Sequence, residues 1–169
     1  MTTMKNDVVH IAYASDSGYL NNVAVAIASV FLWASDRSRI VIDLLTLDVA
    51  DEFWSVWIDE VSRHLPLDCK IIRHEIDGKR FAELRHWHGS RAAYARLLLP
   101  EVLDTVDWCV YADVDTLFTD DPLKLCSVFD PHSSIMGHLE YPCKNLNVQE
   151  AWFMDRNLPF DKAKYLLGG

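Results

Sequence analysis

A chain of 169 residues, half of them hydrophobic, 24% charged and 11% aromatic, is long enough to bury the core of one globular domain, which excludes disorder as a global description. Its formal charge of -9 sets 25 acidic residues against 16 Lys and Arg, so a nucleic-acid backbone would meet net repulsion, and no basic patch offsets it. No apolar run approaches the roughly 20 residues of a transmembrane helix, and the polar residues 1–7 hold no apolar leader segment, which points to a cytoplasmic protein with no membrane span.

In chain order, residues 8–14 (VVHIAYA) are apolar and β-branched and run into Ser15, Asp16, Ser17 and Gly18, the pattern of a buried strand ending in a turn. A helix follows, with Asn21 or Asn22 as cap and Val23, Ile27, Val30 and Phe31 at helical spacing up to Trp33. Residues 40–47 (IVIDLLTL) read as a second strand. Asp51 is a good N-cap for a helix through Phe53, Trp57, Val61 and Leu65 that Pro66 stops. Residues 70–76 form a third strand. Ser90 caps a helix carrying Tyr94, Leu97 and Leu98 that Pro100 closes, and residues 108–112 (WCVYA) are a fourth strand ending at Asp113.

Strands alternating with helices require crossovers, so the expected fold is α/β, a mostly parallel, doubly wound sheet with helices on both faces. Ligands in such sheets sit beyond the carboxyl ends of the strands. Beyond Pro122 the pattern weakens: residues 133–139 read as a further strand, and residues 141–160 are irregular. No internal repeat or domain boundary is visible, so residues 1–169 read as one domain. The end of the chain, an apolar run entering Gly168 and Gly169, reads as an unfinished strand, an N-terminal portion of something longer. Cys69, Cys109, Cys126 and Cys143 form no C-x-x-C pair and no Cys/His cluster, and they read as buried thiols.

The chemistry concentrates at strand ends. Asp113 and Asp115 flank Val114 after an apolar strand, and side chains two apart in extended geometry share a face, so both carboxylates can address one divalent cation of the Mg²⁺ or Mn²⁺ type. Read alone, the pair also fits two aspartates capping a turn. Asp16 ends the first strand just before a helix N-terminus, where backbone N–H groups and the helix dipole attend an anion. Arg96, among apolar neighbours, can reach a phosphate or brace the fold through a carboxylate. Trp54 and Trp57 read as core or as a partner interface. His86 and His88, flanking Trp87, make a weak metal site and a better loop rim.

The string Ile11-Ala12-Tyr13-Ala14-Ser15-Asp16 with Tyr19 and Ala28-Ser29-Val30, then Ser90 and Tyr94-Ala95-Arg96-Leu97, then Val110 to Phe118 around Asp113-Val114-Asp115, resembles glycosyltransferase family 8. That family comprises retaining hexosyltransferases, among them bacterial lipopolysaccharide galactosyl- and glucosyltransferases and the glycogenins. The resemblance implies a GT-A-type, Rossmann-like fold, a UDP-hexose donor, Mn²⁺ or Mg²⁺, and a carbohydrate acceptor such as lipopolysaccharide core. It implies donor-binding positions at Ala14, Asp16, Tyr19, Arg96, Asp113 and Val114, metal ligands at Asp113 and Asp115, and a catalytic carboxylate, matched less securely, at Glu140. It further implies that a third metal ligand, more of the sugar pocket, the acceptor site and any peripheral membrane contact lie beyond Gly169. Apolar surface left by their absence would favour self-association. Two other classes compete: a non-catalytic nucleotide- or partner-binding half-domain, and a haloacid dehalogenase-type phosphatase using Asp113 and Asp115. Against the phosphatase stand Leu117, where its motif wants Thr or Val, and the long stretch of chain before the motif.

Overall fold

In the computed structural model, which describes residues 8–86 and 89–127, the first apolar run forms strand β1 (Val9–Ser15), followed by helix α1 (Leu20–Trp33). Strand β2 (Ile40–Leu47), helix α2 (Asp51–Ser62) and strand β3 (Lys70–Ile76) come next. A 3-10 helix over Ala92–Leu98 leads into the single turn α3 (Leu99–Val102) and the two-residue strand β4 (Val110–Tyr111). The sheet order is β3-β2-β1-β4, and every pairing is parallel. β1 thus lies between β2, with partners Val9↔Ile40 through Ser15↔Thr46, and β4, with Ile11↔Val110 and Ala12↔Tyr111. Strand order reverses between β1 and β4, the switch point at which doubly wound sheets open a crevice.

Alternation along the strands divides the core into two layers. Val9, Ile11 and Tyr13 of β1 and Ile40, Ile42 and Leu44 of β2 pack against α1 through Val23, Ile27, Val30 and Phe31, and against α2 through Trp57 and Val61. Each such large side chain taken from water contributes roughly 1.5–3 kcal/mol before entropy is charged against it. On the opposite face Ala14, Leu45, Leu47 and Ile76 are covered by Phe81 and by Ala92 and Ala95 of the 3-10 helix. Both faces are therefore covered, one by α-helices and the other largely by 3-10 segments.

Polar side chains also cross the sheet. Asp43, 1% exposed on β2, accepts from His10 Nδ1 of β1 at 2.7 Å and from His74 Nε2 of β3 at 2.8 Å. On the α2 side, Arg73 of β3 donates to Thr46 Oγ1 at 3.1 Å and to Asp51 at 2.7 Å, with its guanidinium 5.0 Å from the Trp54 ring. Trp54 is half-buried and Trp57 buried, so both belong to the core layer.

Several local expectations change. Neither Asn21 nor Asn22 caps α1: Tyr19 holds the N-cap position without a side-chain hydrogen bond, and both asparagines lie inside the helix. Asp51 is the first helical residue of α2 rather than its cap, where its charge suits the helix dipole and pairs with Arg73. That helix ends at Ser62, short of Pro66. The stretch after Ser90 is a 3-10 helix, and Pro100 opens α3 in its first turn rather than closing a helix, because a residue without an N–H loses nothing there. The fourth strand keeps only Val110 and Tyr111 of the expected residues 108–112. Cys69, Cys109 and Cys126 are free thiols, half-buried rather than buried. Burial, with the nearby Asp68 charge adding to it, pushes the Cys69 thiol up to about 11. Residues 133–139, Glu140, Cys143 and the final apolar run lie outside the described residues.

Two substitutions test this packing. The Tyr13 hydroxyl is buried with no hydrogen-bond partner among the described residues, and burial pushes its pKa well above the ordinary phenol value. Tyr13→Phe removes that orphaned group and is expected to leave stability unchanged or raise it by about 1 kcal/mol in urea denaturation; a clear loss would mean the hydroxyl is satisfied. Gly78, buried after β3, donates its N–H to Asp48 Oδ1 at 2.8 Å, and a Cβ there would collide with the Asp48 carboxylate. Making room would turn the Asp48 carboxylate away and break its bond to the Gly78 N–H. Gly78→Ala is expected to cost about 1–3 kcal/mol in the same assay.

Candidate functional site

β1 is mostly apolar, with His10 committed to Asp43 inside the sheet, and free polar groups gather where it ends. Asp16 follows Ser15, and its backbone carbonyl accepts from Tyr19 N–H at 3.3 Å as the chain turns into α1. One carboxylate oxygen accepts from Gly18 N–H at 2.9 Å and the other from the Ser90 hydroxyl at 2.5 Å. The Ser90 hydroxyl in turn accepts from Ala92 N–H at 3.0 Å. Ser90 is not the cap expected from the sequence, since Arg91 holds the N-cap position without a side-chain hydrogen bond; Ser90 stands one residue earlier and fastens that segment to Asp16. Gly89, at φ 85, supplies the left-handed residue that brings the chain round to Ser90.

Arg96 stands on the 3-10 helix that begins there. Its Nε donates to the Ala93 carbonyl at 2.8 Å, its Nη2 to Asp113 Oδ1 at 2.7 Å, and its guanidinium lies 4.4 Å from the Tyr111 ring centroid. The Tyr111 hydroxyl donates to the same Asp113 oxygen at 3.0 Å. The pair is partly open, with side chains 31% and 26% exposed, so its own contribution to stability is small, about 1 kcal/mol or less. Burial raises the Tyr111 phenol well above its ordinary value; the Arg96 charge opposes this and the Asp113 charge adds to it, so the hydroxyl stays a proton donor.

Asp113 and Asp115 are presented by a turn and not by the alternation of an extended strand. β4 ends at Tyr111, and Thr116 N–H donates to the Asp113 carbonyl at 2.9 Å, closing a β-turn with Asp113 first and Asp115 third. Aspartate is favoured at the first position of such turns, and this one overrides the short, weak strand. Asp115 is exposed, with no partner among the described residues, while Asp113 has one oxygen engaged and the other open. Beyond the turn, Phe118 N–H donates to Ser29 Oγ of α1 at 3.0 Å, which anchors the exit of the loop.

The donor set is two hard carboxylates, suited to Mg²⁺ or Mn²⁺, and no third His, Cys, Asp or Glu joins them among the described residues. The remaining predicted positions divide. Tyr19 is 41% exposed at the start of α1, beside Asp16. Ala14 is buried under the 3-10 helix and Val114 packs against the α1 layer, so both are packing side chains that leave only backbone to a ligand. His86 Nδ1 lies 3.1 Å from the Gly89 carbonyl; Trp87, His88 and Glu140 lie outside the described residues. Sequence reading met Tyr111 and Ser29 only inside motif strings and gave neither a role. For Tyr111 a signal was present, since it sits two residues before Asp113 at the end of an apolar run.

A cleft of about 360 Å³ begins one residue past Asp115, lined by Leu117, Phe118, Asp120 and Lys124 among others. Its lining includes neither Arg96 nor Asp113, and it is separate from the charged cluster. No helix of the described residues is long and apolar enough to cross a membrane.

No curated protein matches the chain in sequence. Among solved structures, it is similar to the galactosyltransferase LgtC in complex with donor and acceptor sugar analogues, at 26% identity and a TM-score of 0.60, over 69% of this chain and 41% of that one. An active-site mutant of LgtC, Q189E, matches at 27% identity and 0.58, again covering 41% of its chain. The bifunctional glycosyltransferase WbbM shares the fold at 20% identity and 0.53, over 75% of this chain and 22% of its own. The chain thus spans about two fifths of the length of LgtC. With a parallel β3-β2-β1-β4 sheet of GT-A type and a match to the glycosyl transferase family 8 model over residues 10–165, this chain belongs to glycosyltransferase family 8.

Proposed function

We propose that the protein is a metal-dependent, retaining hexosyltransferase that moves galactose or glucose from a UDP-sugar to a carbohydrate acceptor such as lipopolysaccharide core, in the cytoplasm. The observation that carries this reading is the meeting of Arg96 and Asp113 at the switch point between β1 and β4, with the exposed Asp115 in the same turn. A cation, a carboxylate pair and a helix N-terminus there match the needs of a nucleoside diphosphate. Family membership supports glycosyl transfer, and it leaves the phosphatase alternative with no feature of its own. Residues 1–169 are read as one nucleotide-sugar-binding domain.

In this reading Asp113 and Asp115 would hold Mn²⁺ or Mg²⁺, which when bound would supply positive charge against the departing diphosphate. Arg96 presents its unused N–H groups to the diphosphate or donor sugar as a planar fork. Asp16, both oxygens already occupied by Gly18 and Ser90, keeps spare lone pairs for a ribose or uracil donor group and holds the loop that carries it. Tyr19, at the exposed rim, flanks the nucleotide. Glu140 is the proposed carboxylate near the sugar.

Thermal stabilisation of the full-length protein by UDP with Mn²⁺, together with release of UDP from UDP-hexoses, tests the proposal. Stabilisation without turnover would favour the half-domain that binds nucleotide and transfers nothing; no stabilisation would overturn both. In an active preparation, Asp113→Asn and Asp115→Asn are each expected to lower kcat/KM by about two to four orders of magnitude, with melting curves close to wild type. Near-normal transfer by either variant at saturating Mn²⁺ would remove it from the metal site.

A further inference from the structure

We infer that Tyr111 is a positioning residue for the two charges of the site: its hydroxyl fixes which Asp113 oxygen stays open to a cation, and its ring fixes the Arg96 guanidinium. The inference rests on the donor-site reading above. It starts from a shared atom. Asp113 Oδ1 accepts from Arg96 Nη2 at 2.7 Å and from the Tyr111 hydroxyl at 3.0 Å, so two donors from different elements converge on one oxygen. Rotation of the carboxylate would break both bonds at once. Oδ2 is left as the oxygen without a partner among the described residues.

The ring adds a second restraint. Arg96 carries its charge 4.4 Å from the Tyr111 centroid, within range of a cation–π contact. Its Nε is pinned to the Ala93 carbonyl at 2.8 Å. A guanidinium stacked on one side and bonded along one edge loses little further entropy when it meets a ligand. Tyr111 touches neither proposed ligand itself. It acts through Asp113 and Arg96, as outer groups commonly orient the groups that bind a metal.

A simpler role is also available to this side chain. Tyr111 packs against the second apolar layer, and for that purpose a phenylalanine would serve as well. Two variants separate the roles. Tyr111→Phe keeps the packing and the stack and deletes only the hydroxyl; Tyr111→Leu also deletes the stack.

In the full-length protein, calorimetric titration would follow UDP binding at stepped Mn²⁺ concentrations, with melting temperatures measured alongside. For Tyr111→Phe the half-saturating Mn²⁺ concentration is expected to rise about three- to tenfold, the range for one lost hydrogen bond, with melting unchanged and UDP affinity at saturating Mn²⁺ near wild type. Tyr111→Leu is expected to show the same Mn²⁺ shift and, in addition, weaker UDP binding at saturating Mn²⁺. A Phe variant with wild-type Mn²⁺ dependence would overturn the hydroxyl's role and leave the functional reading intact. A loss that tracks a lowered melting temperature would assign Tyr111 to packing alone. A Leu variant no weaker for UDP than the Phe variant would overturn the role of the ring. Wild-type protein that fails to bind UDP with Mn²⁺ would remove the donor site and the inference with it.

Discussion

Parallel pairing of β1 on both edges is the constraint from which the rest follows. β2 pairs β1 along its whole length and β4 pairs it at Ile11 and Ala12, and both of its faces are covered. Such a strand must be apolar nearly throughout, and parallel neighbours must be reached by crossovers that lay helices over the sheet. Polar chemistry is thereby pushed to the strand's carboxyl end. There Asp16 and Asp113 arrive from segments far apart in sequence because β1 and β4 end side by side. The site is a consequence of the sheet's pairing order.

What holds the site in shape before any ligand arrives is a set of side-chain bonds between its loops. Ser90 joins the Asp16 turn to the segment bearing Arg96, Arg96 joins that segment to Asp113, and Ser29 holds the exit of the Asp113 turn against α1. Arg96 compensates Asp113, while Asp115 remains in solvent and leaves the site with excess negative charge. Partial exposure keeps the cost of breaking the Arg96–Asp113 pair low, which suits groups that must exchange one partner for another when a charged ligand enters.

The central strands were readable from sequence because their signals are strong and local. Runs such as IVIDLLTL and KIIRHEI are too short for helices and too β-branched to be loops, and both strand boundaries agree with the structure. Elements decided by tertiary context were read less well. Residues 92–98 have helical apolar spacing but lie as a 3-10 helix against the sheet, and Pro100 marks a helix beginning rather than an end. At the site, the residue types at Asp16, Arg96, Asp113 and Asp115 were legible from motifs. Their connections were not, because a hydrogen bond between Ser90 and Asp16 spans distant sequence and leaves no periodic trace. Nor does a pattern reveal that the aspartate pair is presented by a turn.

Asp43 shows how so uniform a sheet avoids alternative alignments. β2 is buried at all eight positions and mostly aliphatic, so sliding it against its neighbours would cost little if apolar contact were the only criterion. A slip of one residue would turn the Asp43 carboxylate into the layer of Phe31, Trp57 and Val61, where an unpaired charge is prohibitive. A slip of two would keep its face but carry it off the imidazoles of His10 and His74. One acid flanked by two histidines therefore works as an indexing pin for three strands. Because the pin sets the register of β1, it also determines how far along the sheet Asp16 stands, and so whether the opposite end of the molecule lines up at all.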